Sequence, residues 1–195
     1  MMYRTEYMAP VGRLTLIADE EALLGLWIQG QQYEDEAMWG AASILRETRI
    51  LADACGWLDR YFAGEKPVPG ELPLHPQGNA FRQMIWEMLC RIPYGQVTTY
   101  GALARAAASR MGKERMAAQA VGGAVGHNPI SIIIPCHRVV ASDGKLTGYA
   151  CGLDKKRMLL TREGISLRKG RVQHAVFLGE EAFPETESVI LSPLA

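Results

Sequence analysis

The chain lacks any apolar run long enough to cross a membrane, and its first residues (MMYRTEYMAP) lack the apolar stretch of a signal peptide. Both absences lead us to expect a cytoplasmic protein. Cysteine is scarce: four residues, at 55, 90, 136 and 151, with no CxxC pair and no tight Cys/His spacing. That excludes a disulfide scaffold, gives no metal site, and leaves four free thiols in a reducing compartment, one of them available as a reagent. There is no internal repeat, no Gly-rich phosphate loop and no dinucleotide fingerprint, so the usual signs of a bound nucleotide are missing. The rest is ordinary globular material: 195 residues, 48% hydrophobic and 22% charged, enough for one or two domains with a proper core.

A net charge of zero conceals an uneven distribution. Residues 1–78 carry 6 Lys+Arg against 12 Asp+Glu, residues 79–171 carry 15 against 5, and residues 172–195 carry none against 4. A basic middle between acidic flanks suggests a polyanionic partner for the middle segment. On charge alone, a plain solvated surface is an equal alternative.

The most informative stretch is NPISIIIPCHRVV, residues 128–140. Ile130, Ile132, Ile133 and Ile134 form a β-branched run too apolar to face water on either side, which predicts a strand covered on both faces. Pro135 has no N–H to donate and ends the ladder. Cys136, His137 and Arg138 then place a thiol, a base and a cation within three residues. A neighbouring imidazole or cation lowers a thiol's pKa and makes it a nucleophile. A buried structural cysteine is the commoner meaning of a bare Cys-His pair.

Elsewhere the pattern reads β then α, then mainly α. Arg13 to Ala18 and Ala22 to Ile28 look like strands of a small antiparallel sheet, with Pro10-Val11-Gly12 as the turn before them. A helix is predicted over Ala42 to Phe62, from Ile44, Leu45, Leu51, Cys55, Leu58 and Phe62 at three- and four-residue spacing. Gly64 would end it, KPVPGELPLHPQG reads as a linker, and we place a domain boundary near Gly78. Ala80 to Arg91 is helical in pattern and is broken by Pro93-Tyr94-Gly95. Thr98 or Thr99 can cap a short helix through Ala108, and Glu114 to Val125 forms a second, so the pair is a helix-turn-helix candidate. The second carries AQAVGGAVG, and Gly122 and Gly123 each cost roughly 1 kcal/mol against Ala. Tight helix–helix packing is the explanation that spacing alone slightly favours; close approach of an external groove is the other. Ser142-Asp143-Gly144 is a turn, and Asp154 can cap a last helix through Arg162. Glu163 lies at that helix's C-terminal end, a poor place for an anion unless a cation or imidazole N–H meets it. The acidic tail 172–195 is expected to be largely disordered.

Taken together, IPYGQVTTYGALA, AVGGAVGHNPI, IPCHRVV, LTGYACG and LLTREG, in this order and spacing, closely resemble the methylated-DNA–protein-cysteine methyltransferases, which repair O6-alkylated guanine. The resemblance is dense over residues 80–164 and looser over 1–79. It implies an α/β protein: an RNase H-like α/β domain (1–78), then a mainly helical domain (79–171) with a helix-turn-helix and an active-site strand. It implies that Cys136 takes the alkyl group in one irreversible displacement, with His137 as base through a bridging water and Glu163 orienting the histidine. Asn128 would tie the helix-turn-helix to the active-site strand. Tyr100 would donate to guanine N3, Tyr149 would wall the pocket, and backbone near Cys136, Val139 and Ala150 would read the base edge. Gln119, Ala120, Gly122 and Gly123 would face double-stranded DNA through its minor groove, with Arg138 and Lys156 as nearby cations and the damaged base flipped out. No cofactor is implied, and a monomer is expected.

The sequence departs from the family at Gln119, where an arginine usually fills the gap left by the flipped base; glutamine brings no charge. Cys151 replaces the residue common after the pocket tyrosine and could pack or oxidise with Cys136. The N-terminal segment has no Cys/His set for the structural zinc of some relatives, and the tail is longer than expected. Two other readings stay open beside that of a pure transcription regulator, for which no second DNA-binding domain appears. A non-catalytic lesion-binding protein would have replaced the nucleophile, and a thiol hydrolase would leave the basic helix pair idle.

Overall fold

A computed structural model describes residues 1–32, 43–184 and 191. It opens on a hairpin, β1 (Met2–Ala9) and β2 (Gly12–Ala18), turning at Pro10-Val11, where Gly12 takes a left-handed φ of 115°. β3 (Leu23–Ile28) pairs antiparallel with β2, and the short β4 (Ser43–Leu45) pairs parallel with β1, giving the order β3-β2-β1-β4. The two strands expected from alternation are therefore present, joined by two that it did not reveal. Gly25 in β3 is required by packing: a Cβ there would lie 1.9 Å from the Trp27 ring.

α1 (Arg49–Ala63) begins seven residues later than expected. The predicted start at Ala42 lies outside the described residues, and Ser43–Leu45 is strand. Thr48 sets the true start by accepting a hydrogen bond from Leu51 N, and Gly64 ends the helix at φ 87°. Leu51, Ala54, Trp57, Leu58 and Tyr61 bury one face against the sheet. Truncating one such leucine to alanine costs about 2–5 kcal/mol.

The remaining helices are α2 (Ala80–Cys90), α3 (Tyr100–Arg110), α4 (Ala118–Gly126) and α5 (Leu153–Arg162). Thr99 caps α3 through Ala102 N, as the sequence allowed. α4 starts four residues later than predicted. The N-cap of α5 is Gly152, and Asp154 sits inside its first turn. None of the described helices is long and apolar enough to cross a membrane. β5 (Gln96–Thr99), β6 (Val139–Val140) and β9 (Val176–Leu178) form a parallel sheet ordered β6-β5-β9, while β7 (Ser166–Arg168) and β8 (Arg171–Gln173) make a hairpin.

That topology corrects two expectations. The run 130–134 is no strand. Ile130 makes one bridge to Leu26, and the chain then coils through tight turns with Ile132 at φ 70°, a left-handed value that costs a β-branched residue about 1–3 kcal/mol. The apolarity was real, since all four isoleucines are buried, but burial on every side does not require a ladder. The tail is also partly folded: residues 172–184 include β9 and a buried Phe183, with Thr98 donating to Leu178 O, whereas 185–190 and 192–195 lie outside the described residues.

The main core runs without a break from Leu14 and Trp57 through Leu89 and Leu103 to Cys136. The edge of β3 is stitched to the rest by Leu26 N to Pro129 O (2.8 Å) and Ser131 N to Leu26 O (2.9 Å). A sheet edge from the first third of the chain thus fixes the segment that carries the Cys-His-Arg sequence.

Candidate functional site

The turns after α4 bring a side chain back onto its own segment. Asn128 Nδ2 donates to Ile134 O (2.8 Å) and to Cys136 Sγ (3.1 Å), while Asn128 Oδ1 accepts from Ile130 N (3.0 Å). An extended strand would carry residues 128 and 134 about 20 Å apart. The strained turn at Ile132 is what makes the contact possible. Residues 136–138 then form a single 3-10 turn that directs Cys136, His137 and Arg138 into the protein, all buried.

Glu163, at the C-terminal end of α5, is the hub they meet. Its Oε1 accepts from His137 Nε2 (2.6 Å), Tyr61 Oη (2.8 Å) and Arg138 Nη2 (3.0 Å), and its Oε2 from Arg138 Nε (2.8 Å) and Gly95 N (3.2 Å). Burial pushes its pKa up, but His137 and Arg138 outweigh that and hold the carboxyl well below the usual carboxylate range. Because Glu163 is ionised, His137 Nε2 carries the ring proton. Nδ1 is left with a lone pair, buried and without a protein partner. Burial lowers the His137 pKa against the pull of Glu163, so the resting imidazole is neutral.

Burial also raises the Cys136 pKa, opposed by the Asn128 hydrogen bond and the Lys156 charge. The expected activation by neighbours is thus outweighed, and the resting group is a thiol, not a thiolate. The centre is a neutral thiol beside a neutral base whose protonated form would be stabilised by a fixed carboxylate. It can give up a proton as a bond forms at sulfur, without holding an ion pair beforehand.

In front of Cys136 lies a cavity of about 10 Å³, bordered by Gln31, Asn128, Ser131, Tyr149 and Ala150. It opens toward a groove of about 750 Å³ between α4 and the loop 147–150, lined by Tyr100, Gln119, Gly122, Gly123 and Tyr149 among others. Residues 117–120 and 123 of the α4 region are exposed, while Val121, Ala124 and Val125 face inward. A Cβ at Gly123 or Gly126 would meet nothing within 4 Å, and one at Gly122 only the Tyr100 ring at 3.9 Å. Internal helix packing therefore does not explain these glycines, contrary to what the spacing alone favoured.

Two family models match the chain: the 6-O-methylguanine DNA methyltransferase ribonuclease-like domain over residues 2–76, and the DNA binding domain of the same family over residues 80–165. The chain is 41% identical over 167 residues to a methylated-DNA–protein-cysteine methyltransferase of Haemophilus influenzae, covering 84% of this chain and 87% of that protein. The same identity holds over 169 residues for the enzyme of that name in Methanosarcina barkeri, covering 86% and 100%. The crystal structure of Mycobacterium tuberculosis OGT in complex with DNA superposes with a TM-score of 0.71 at 36% identity, covering 83% of this chain and 92% of that one. The chain belongs to the methylated-DNA–protein-cysteine methyltransferase family.

For a member of the methyltransferase family, the site residues expected from sequence fall into three groups. Cys136, His137, Glu163 and Asn128 form the buried cluster. Tyr100, Tyr149, Gln119, Gly122, Gly123 and Ala150 border the groove, and Ala120 is exposed on the same helix. Tyr100 Oη donates to Gly148 O (3.2 Å) or Thr147 O (3.3 Å), and burial pushes its pKa up to about 12. Ala150 offers backbone there, although its O already accepts from Gln32 N. Val139 is fully buried, borders neither the cavity nor the groove, and has its O taken by Lys156, which corrects the expectation that it reads the base edge.

Arg138 and Lys156 are corrections. Arg138 is 3% exposed, with its guanidinium committed to Glu163 and Ile92 O, so it cannot meet a phosphate. Lys156 is fully buried and donates to Val139 O (2.6 Å), Thr147 O (2.8 Å) and Gly148 O (3.3 Å), tying β6 to the pocket loop. Burial lowers its pKa to about 8. The sequence reading also missed Tyr61 and Gly95 N as Glu163 donors. The available signal was that a tyrosine on the buried face of a helix needs a partner for its hydroxyl.

Proposed function

We propose that the protein repairs O6-alkylguanine in double-stranded DNA by transferring the alkyl group to Cys136 of its own chain, once and irreversibly. The observation that carries this reading is the chain of contacts Asn128–Cys136 and His137–Glu163–Arg138, a positioned thiol beside a neutral imidazole whose second nitrogen is held by an ionised carboxylate. In the step, the bond from the alkyl carbon to guanine O6 breaks and the bond to Sγ forms. The thiol proton passes toward His137 Nδ1 through a bridging water, and the imidazolium is stabilised by Glu163. Tyr100, a phenol kept protonated by its raised pKa, donates to guanine N3 so that the base leaves neutral. The Tyr100 phenolate takes back a proton and the His137 imidazolium releases one, through solvent, so the net movement is one proton from sulfur to the base. The step needs only protein and DNA, so no cofactor is invoked.

DNA binds along the exposed small-residue face of α4. A helix without long side chains fits a minor groove, and a guanine rotated from the stack enters the groove beside Tyr100 and Tyr149. All the proposed catalytic groups come from one chain, which supports action as a monomer. Phosphate contacts by exposed cations of the basic segment supply affinity that falls as salt rises.

The test is incubation with a duplex holding one O6-methylguanine, followed by peptide mass spectrometry. One added methyl on the Cys136 peptide, stoichiometric and absent in Cys136→Ala, is the expected result. Binding of the lesion with no methyl gained would replace this reading with that of a non-catalytic lesion sensor.

A further inference from the structure

Gln31 lies at the end of the N-terminal sheet, in a turn after β3, and no step above uses it. It is 7% exposed, a buried polar side chain without charge. Its Oε1 accepts from Ile28 N (3.2 Å), Ser131 Oγ (2.9 Å) and Cys151 Sγ (3.1 Å), and its Nε2 reaches Asn128 O (3.5 Å). Ile28 N–H can only donate and Asn128 O can only accept, so these two fix which way round the amide sits. One side chain thus bonds both walls of the cavity in front of Cys136. One wall is Asn128–Ser131, which carries the Asn128 bond to Sγ. The other is 149–151, the pocket loop, which the neighbouring Gln32 N also holds through Ala150 O (2.9 Å).

We infer that Gln31 is a positioning residue of the transfer site, and that it closes the alkyl pocket at about the size of a methyl group. This rests on the alkyl-transfer reading above. The cavity that Gln31 borders beside Sγ is about 10 Å³, room for about one water-sized group. An alkyl group on O6 has to enter that space to reach sulfur. A methyl fits between the walls as they stand, whereas a benzyl group requires them to part, which the four Gln31 bonds resist. At metal sites, side chains that orient a reacting group through a second residue typically cost one to two orders of magnitude in affinity or activity when removed, and the lower end sets the scale here.

The experiment measures single-turnover alkylation of Cys136 by mass spectrometry, with saturating duplex carrying either O6-methylguanine or O6-benzylguanine, in the wild-type chain and in Gln31→Ala and Gln31→Glu. Methyl transfer in Gln31→Ala should fall roughly tenfold while benzyl transfer holds or rises, so the methyl-to-benzyl ratio shrinks by about tenfold or more. Gln31→Glu keeps the acceptor atom for Ile28, Ser131 and Cys151, and in the neutral form that burial favours its O–H replaces the donation to Asn128 O. It should therefore recover most of the ratio. Equal falls for both lesions would mean only a general loosening and would overturn the inference, as would unchanged rates in Gln31→Ala. If the wild-type protein alkylates Cys136 with neither lesion, the transfer reading itself fails, an outcome distinct from both.

Discussion

The buried centre around Glu163 and the exposed face of α4 solve opposite problems with opposite materials. The centre packs a carboxylate, a guanidinium, an imidazole and a thiol out of water, and nearly every polar atom is spent on a neighbour. α4 presents alanine, glycine and one glutamine to solvent, and a Cβ at two of its glycines would meet nothing in the protein and at the third only the Tyr100 ring. Chemistry that must move a proton in one direction needs fixed dipoles and a dry surrounding. A surface that must lie against a polyanion's groove needs the absence of side chains. Changes at the centre should therefore damage stability and reaction together, whereas changes on α4 should separate them.

The largest effect expected is at the hub. Glu163→Gln leaves the buried Arg138 uncompensated and should destabilise the fold by about 3–5 kcal/mol, readable as a lowered denaturant midpoint. Methyl transfer should slow by at least tenfold even well below the unfolding temperature, because imidazolium loses its counter-charge. Unchanged stability in this variant would break the contrast at its root.

Acid comes next, and the sign follows from the depressed pKa values. His137 binds a proton more readily unfolded than folded, so its stabilisation is complete above about 6.5 and is lost as pH falls below that. Glu163 acts the same way lower down, giving stability above about 4.5 that is lost as pH drops further. The repair rate should stay level from pH 8 down past the ordinary imidazole value of about 6.5, and fall only at the lower pH where the folded His137 is protonated. A rate that rises on acidification would show that the ring works as an acid at rest.

Gly123→Ala sharpens the contrast from the other side. The helix should gain about 0.5–1 kcal/mol, since the methyl meets nothing inside the protein, while duplex affinity falls several-fold. A gain in stability with no loss of binding would remove α4 from the DNA interface. The smallest effect is at Gln119→Arg, an exposed position where an added cation should improve lesion-duplex affinity by about 1 kcal/mol or less, an advantage erased at high salt.

The buried cluster around Cys136 was legible because much of it is written in adjacent residues. Cys136, His137 and a glutamate at an electrostatically odd helix end announce themselves in sequence, and Asn128 follows from its motif. What escaped reading depends on contacts that sequence distance hides. Tyr61 meets Glu163 across 102 residues and Gln31 meets Ser131 across 100, so no local pattern could flag either. Arg138 and Lys156 were expected as cations near the DNA; both are buried, Arg138 against Glu163 and Lys156 within a ring of carbonyls, partners that no local pattern in the sequence shows. Residues 130–134 misled for a different reason. A β-branched run registers burial, and its coiling past Ile132 is set by tertiary bonds to Leu26 and Asn128 that override propensity. The strands of residues 166–178 are three residues each, too short for any period to show.

Burial hides the reagent from water, and by the same physics it should keep the reagent neutral until a lesion arrives. The ultraviolet absorbance of the thiolate, titrated against pH in the DNA-free wild type and in Cys136→Ala, reads that state. The difference between the two should show no thiolate at neutral pH and a transition above the ordinary cysteine value of about 8.5. A Cys136 thiolate already present at neutral pH would contradict it, and would mean that His137 and Lys156 act on the resting sulfur as a standing ion pair.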